Sequence, residues 1–226
     1  MFNKIKALLR MKRFKLFTRL NELNIVGLRS KSNIPNRFDD ELHVFYKVSP
    51  VKWQYHVFKI TTDPGTYWLK NPMAPKGTAI LAEGQYLNTW TLGLHKGQYK
   101  ALVQVKPLSV LRDYDRNAVL DFYNGQKFTG MFGIDIHRAN KVGVTKTVDR
   151  NSAGCQVFEN AADFDVFLKL CDMHKAKYGN LFSYSLIDFR TVRRRRLRIA
   201  AYCLGATLGL GIAGNYYFNQ PQKQLA

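Results

Sequence analysis

Between residues 41 and 137 glycine and proline cut the chain into short apolar runs, and no other feature constrains its fold as strongly. LHVFYKV (42–48), WQYHVFKI (53–60), TAILAEG (78–84) and KALVQVKPLSVL (100–111) are rich in β-branched and aromatic residues. Such side chains suit a pleated, half-buried surface and read as strands. Turn signals separate them at Asp63-Pro64-Gly65, Pro72, Pro75, Gly84 and Gly97. MFGIDIH (131–137) reads as a further buried strand, ending at a histidine. The period then changes. In 158–179, Phe164, Phe167, Leu168 and Cys171 recur at i, i+3, i+4 and i+7, the stripe of an amphipathic helix, and Gly179 stands where such a helix stops. The fold class that follows is mainly β (α+β). A hydrophobic content of 46% excludes wholesale disorder.

Both ends differ from this body. Residues 2–23 predict a basic amphipathic helix, with Phe2, Ile5, Leu9, Leu16, Leu20 and Leu23 on one stripe bordered by Lys12 and Arg13. Leu8, Met11, Phe14 and Phe17 lie off that stripe, so the expectation is a surface or partner-binding helix, with a docked helix as the alternative. Charges recur every few residues and leave no uninterrupted apolar stretch, which weighs against a secreted protein with a signal peptide. At the other end, residues 199–218 carry no charge and are long enough to span a hydrocarbon core of about 30 Å. A polybasic linker (191–198) with Arg193–Arg196 and Arg198 precedes this segment, Tyr216, Tyr217 and Phe218 end it, and a polar tail (219–226) follows. Gly205 and Gly209 add a helix-contact motif of low specificity. The expectation is a transmembrane helix, the alternative a hydrophobic helix buried in a larger assembly.

The net charge of +19 is concentrated in these tails. Residues 1–38 hold ten Lys/Arg against the single acid Glu22, and residues 191–226 hold six Lys/Arg and no acid. The body between them is close to neutral, which weighs against a nucleic-acid groove across its surface. Tails of this kind suit anionic membrane or virion components, or non-specific contact with nucleic acid. The three cysteines, Cys155, Cys171 and Cys203, are odd in number and lack disulfide-framework or metal-ligand spacing.

GIDIHRAN (133–140) and NSAGCQVF (151–158) carry the chemistry. Small residues before Cys155 let a carbonyl approach the sulfur and leave main-chain N–H groups to face a developing oxyanion. A histidine within reach, His137, can take the thiol proton. The competing reading is a buried small hydrophobe and a satisfied strand-end histidine.

The spacing His137-x17-Cys155, closed by Ser152-Ala153-Gly154-Cys155, resembles the signature of the L,D-transpeptidase catalytic domain. FDDELHVFYK (38–47), FKITTDPGTYWLKNPM (58–73), KGTAILAEGQY (76–86) and LGLHKGQYKALVQVKP (92–107) resemble its phage-encoded branch, and the likeness spans residues 24–190. It implies a β-sandwich with one or two helices, Cys155 as nucleophile and His137 as general base. Ser152, Ala153 and Gly154 would support the oxyanion site, with the N–H groups of Ala153, Gly154 and Cys155 lining it. The chain departs from the family where Ala153 replaces a frequent second histidine, and where Gln156 and Val157 stand in place of a nearby arginine. Hydrolysis is therefore expected over cross-linking. The resemblance further implies acyl transfer on peptidoglycan stem peptides with no cofactor required, by a virion-associated or host-membrane-associated protein of phage origin. The rival expectation is a structural virion or membrane-anchored assembly protein that keeps the fold without catalysis.

Weaker signals complete the set. Gln156, Arg138, His95 and Tyr67 are candidate substrate contacts, with Trp68 beside Tyr67 as a further cleft wall. Asp113, Asp115, Asn117 and Asp121 follow the oxygen spacing of a calcium loop, although Ala118 and Asn124 stand at its glycine and glutamate positions. A polar turn between strands is the expectation there, a structural Ca²⁺ the alternative.

Overall fold

The apolar runs pair into two sheets in the computed structural model, which describes residues 1–122 and 126–192. The elements are α1 (Phe2–Lys12), β1 (Asn24–Arg29), β2 (Asp40–Lys47), β3 (Trp53–Thr61), α2 (Thr66–Lys70), β4 (Thr78–Leu81), β5 (Gly84–His95), β6 (Tyr99–Gln104) and β7 (Leu108–Asp113). They continue with β8 (Lys127–Gly130), β9 (Ile136–Arg138), β10 (Gln156–Phe158), α3 (Ala161–Tyr178) and β11 (Phe182–Asp188). Met1–Asp188 form one compact unit; a second begins at Phe189. The polybasic run from Arg193, the apolar segment 199–218 and the tail 219–226 lie outside the described residues. Among the described residues no helix is long and apolar enough to cross a membrane.

The fold is mainly β with few helices. Eight strands in the order β1-β11-β5-β6-β9-β10-β3-β2 close on themselves, and β4-β7-β8 form a separate small sheet. Where the resemblance implied a sandwich, the larger sheet is a mixed barrel, with parallel pairs at β1/β11 and β9/β10. Leu42, Val44, Phe58, Ile60, Trp90, Leu102, Ile136, Phe158 and Tyr184 fill its core. Phe164, Phe167 and Cys171 of α3 pack into the same cluster, which realises the helical stripe read from the sequence. The side chain of Asn160 caps α3 by accepting from the Ala162 N–H at 3.0 Å, and Gly179 ends the helix at φ 83°.

Several boundaries moved for identifiable reasons. The run 100–111 is two strands in different sheets, because Pro107 lacks the N–H that a ladder needs. Within 131–137 only the last residues pair, since Gly133 at φ 68° breaks the extended backbone. The N-terminal helix stops at Lys12, where Arg13 turns left-handed at φ 58°. It is docked rather than left open for a partner: Ile5, Leu8 and Leu9 are buried, and Phe2 meets Phe45 edge-on at 5.3 Å. Lys12 completes the seat with an ion pair to Glu83 at 2.7 Å.

One buried cation ties the barrel together. Arg29 on β1 is 1% exposed and pairs with Asp63 at 2.8 Å. The Nε that makes this pair also reaches Thr62 Oγ1 at 2.8 Å, and the two terminal nitrogens donate to Leu81 O and Thr62 O at 2.9 Å. Asp40 accepts from the Thr62 N–H, the Thr62 hydroxyl and the Ser30 N–H, each at 2.7 Å. Burial, and then the neighbouring Asp63 charge, hold the Asp40 carboxyl well above the usual carboxylate range. Removing the cation strands these acids in the interior, so Arg29→Met is expected to cost about 3–5 kcal/mol, measured as the loss of unfolding free energy in urea.

Candidate active site

The short parallel pair β9/β10 sets the geometry. Gln156 lies opposite Ile136 and Val157 opposite His137, and the Gln156 N–H donates to Asp135 O at 2.9 Å. Side chains alternate along a strand. Ile136 and Phe158 therefore enter the main core, while Cys155 and Val157 pack with Phe38 and Val148 on the other side. Cys155, Asp135 and His137 thus share one face, and all three wall a cavity of about 330 Å³. Trp68, Met73, His95, Lys96, Phe132, Arg150 and Ala153 contribute to the remaining walls.

The loop before Cys155 is shaped by its own side chains. Ser152 Oγ accepts from the Gly154 N–H at 3.1 Å and donates to Cys155 O at 2.9 Å. Gly154 sits at φ 123°, and a Cβ there would lie 2.4 Å from Ala79 O on β4, so only glycine fits both the dihedral and the space. The bond to Ser152 withdraws the Gly154 N–H from the oxyanion role expected of it. Of the three N–H groups the resemblance names for that role, those of Ala153 and Cys155 remain.

Cys155 Sγ receives the Asp135 N–H and its thiol donates to Gly133 O, both at 3.4 Å. The residue is 9% exposed, and burial pushes the thiol up to about 12 against a partial offset from the Asp135 N–H. His137 Nδ1 lies 2.8 Å from Arg138 O. A carbonyl can only accept, so Nδ1 carries the proton and Nε2 holds the free lone pair. Burial, then the adjacent His95, lower His137 to about 3. At neutral pH the resting pair is thiol and neutral imidazole, not an ion pair. The His95 ring stacks on His137 with centroids 4.0 Å apart, and His95 Nδ1 meets Asp135 Oδ2 at 2.7 Å. Tyr99 donates to Arg138 O at 3.2 Å, steadying the carbonyl that orients His137.

The cavity thus gathers Cys155, His137, His95 and Ala153, but not every expected contact. Gln156 is fully buried and turned into the barrel, where Oε1 accepts from the Tyr184 hydroxyl at 2.8 Å. It cannot meet substrate from there, which corrects its reading as a contact. The guanidinium of Arg138 covers the Tyr99 ring at 4.5 Å, outside the cavity walls. Tyr67 lies beneath Arg150 at 4.0 Å, and it is Trp68 that faces the cavity, its Nε1 donating to Arg150 O at 3.0 Å. Asp135 and Lys96 also wall the cavity, and no motif in the sequence singles either out. Asp135 was within reach of the period-two rule, standing two residues before His137.

The calcium-loop residues close a turn among themselves. Asp115 accepts from Asn117 N and Nδ2 at 3.1 and 2.6 Å, Asn117 Oδ1 from Val119 N at 2.6 Å, and Asp113 Oδ2 from Asp121 N at 2.9 Å. Among the described residues no three His, Cys, Asp or Glu side chains gather as a metal-holding group. In comparisons with family models, curated proteins and solved structures, nothing matches this chain.

Two outcomes follow. Below its raised pKa the thiolate fraction of Cys155 grows tenfold per pH unit, so iodoacetamide labelling of the native protein, read at Cys155 by peptide mass mapping, should still be climbing at pH 9–10. A plateau near pH 8 contradicts the burial argument. Gly154→Ala should cost about 1–3 kcal/mol through forced overpacking, measured by thermal unfolding.

Proposed function

We propose that this chain is a cysteine-dependent acyl-transfer enzyme acting on peptidoglycan stem peptides, in the manner of the L,D-transpeptidases its sequence resembles. The observation that carries the reading is the shared cavity. Cys155 and His137, the two residues the resemblance assigns to catalysis, wall the same opening from adjacent strands. Gly154 supports it, since its positive φ and its approach to Ala79 O explain the small residue before the nucleophile.

In this reading His137 Nε2 takes the thiol proton as Cys155 Sγ attacks the carbonyl carbon of the scissile amide. The electron pair moves onto the oxygen, where the N–H groups of Ala153 and Cys155 receive it. Collapse breaks the C–N bond, the departing amine takes the proton from the imidazolium, and a thioester remains. Water, deprotonated by His137, then attacks the thioester and expels the thiolate, which recovers the proton. An amine in place of water gives a cross-link. Hydrolysis is the favoured branch, because Ala153 and Gln156 replace groups that many family members place beside the nucleophile. A phage source and a virion-associated or membrane-associated role in cell-wall penetration or lysis fit the basic tails. No membrane-spanning helix occurs among the described residues.

A second reading rests on a specific observation: the sulfur is nearly enclosed and its thiol is held protonated. That also suits a structural virion or assembly protein which has retained the fold. Incubating the full chain with purified muropeptides and following products by mass spectrometry separates the two. The enzyme reading expects new stem-peptide termini that Cys155→Ala abolishes. Turnover that survives Cys155→Ala overturns the nucleophile assignment, and absence of turnover by the wild type favours the scaffold.

A further inference from the structure

Next to the Cys155 cavity lies a smaller one of about 150 Å³. The two share Trp68, Met73, Phe132 and Ala153 as walls, so a substrate held at the sulfur has this side pocket immediately beside it. Its other walls are Ala74, Gly77, Thr78, Ala79 and Arg112. The lining is apolar or weakly polar except for that one cation.

Strand register explains how the cation comes to be there. On β7, Leu108 and Val110 turn toward the main core, and Arg112, two residues on, continues the same face opposite Ala79 of β4. The guanidinium lies over the Phe132 ring at 5.0 Å and spends one donor on Gly77 O at 2.9 Å. No carboxylate pairs with it among the described residues, and its Nε is buried without a hydrogen-bond partner. A half-buried guanidinium with unspent donors is poorly satisfied as it stands. A planar carboxylate is the group whose geometry matches it.

We propose that Arg112 is the specificity-determining residue of a side pocket that takes an acyl-donor side chain with an apolar stem and a terminal carboxylate. Trp68, Met73 and Phe132 cover the stem, and Arg112 receives the charge. Arg112 takes no part in the bond-making steps at Cys155. This assignment rests on the acyl-transfer reading for which chain occupies the cavity, but it can be tested by binding alone.

Two synthetic tetrapeptides serve as probes, one carrying meso-diaminopimelate and the other L-lysine at the third position. They differ only in the carboxylate at the end of that side chain. With the full chain bearing Cys155→Ala, titration calorimetry should show the diaminopimelate peptide binding about tenfold or more tighter, the scale of one charge-assisted contact. Adding Arg112→Gln should erase the preference while leaving affinity for the lysine peptide nearly unchanged. Adding Arg112→Glu should reverse it, an outcome that misfolding cannot imitate, and Arg112→Lys should retain part of it. Equal binding of both peptides before Arg112 is altered overturns the proposal, as does a preference that survives Arg112→Gln. If the wild type turns over both peptides equally, the pocket assignment fails while the enzyme reading stands. Discriminating binding without turnover by the wild type has the opposite meaning.

Discussion

The register of two three-residue strands fixes the arrangement of the site. With Gln156 paired to Ile136, the pleat sends Cys155, Asp135 and His137 outward and their immediate neighbours inward. A slip by one residue would turn the imidazole away from the cavity into the barrel core and drive Phe158 out of that core. So short a ladder cannot hold its own register. It is clamped between β6 and β3 in the closed sheet, and by Gln156, whose side chain reaches Thr62 O, Gly154 O and the Tyr184 hydroxyl inside the barrel. The residue following Cys155 is thus an anchor for it.

The buried Arg29 cluster extends that clamp. Thr62 and Asp63 follow directly on β3, the strand that pairs with β10, and Arg29 on β1 binds both. Desolvating a guanidinium is expensive unless nearly every donor is used, and here its partners come from the end of β3 and the end of β4. Close packing adds a further constraint at Gly27, where a Cβ would overlap the Tyr184 hydroxyl. The ring crosses β1 at the one position without a side chain, and its hydroxyl thereby reaches Gln156.

The sequence made some of this legible and hid the rest for physical reasons. A strand with one covered face announced itself through alternation, as in 53–60, whereas 42–48, buried on both faces, was legible through its β-branched and aromatic content. β1 is buried along its whole length and pairs in parallel with β11, so it shows no alternation to read. The Cys155 and His137 pair came from the family resemblance, since residue type alone equally allowed a buried thiol and a strand-end histidine. His95 beside His137 was not legible, since their stacking depends on β5, β6 and β9 meeting across the sheet. Asp135 and Gln156 needed only strand parity: one stands two residues from His137 and faces out, the other stands one residue from Cys155 and faces in. The N-terminal segment misled because its second sticky side, Leu8 included, is the mark of a docked helix.

The enclosure of Cys155 also bears on its chemical lifetime. Peroxides and disulfides react with the thiolate, and a sulfur held as thiol by its surroundings presents almost none of it. Such a group can persist reduced in an oxidising medium where an exposed, acidic cysteine would be lost. The hydrogen bonds from Asp135 and to Gly133 hold the sulfur in that enclosed setting.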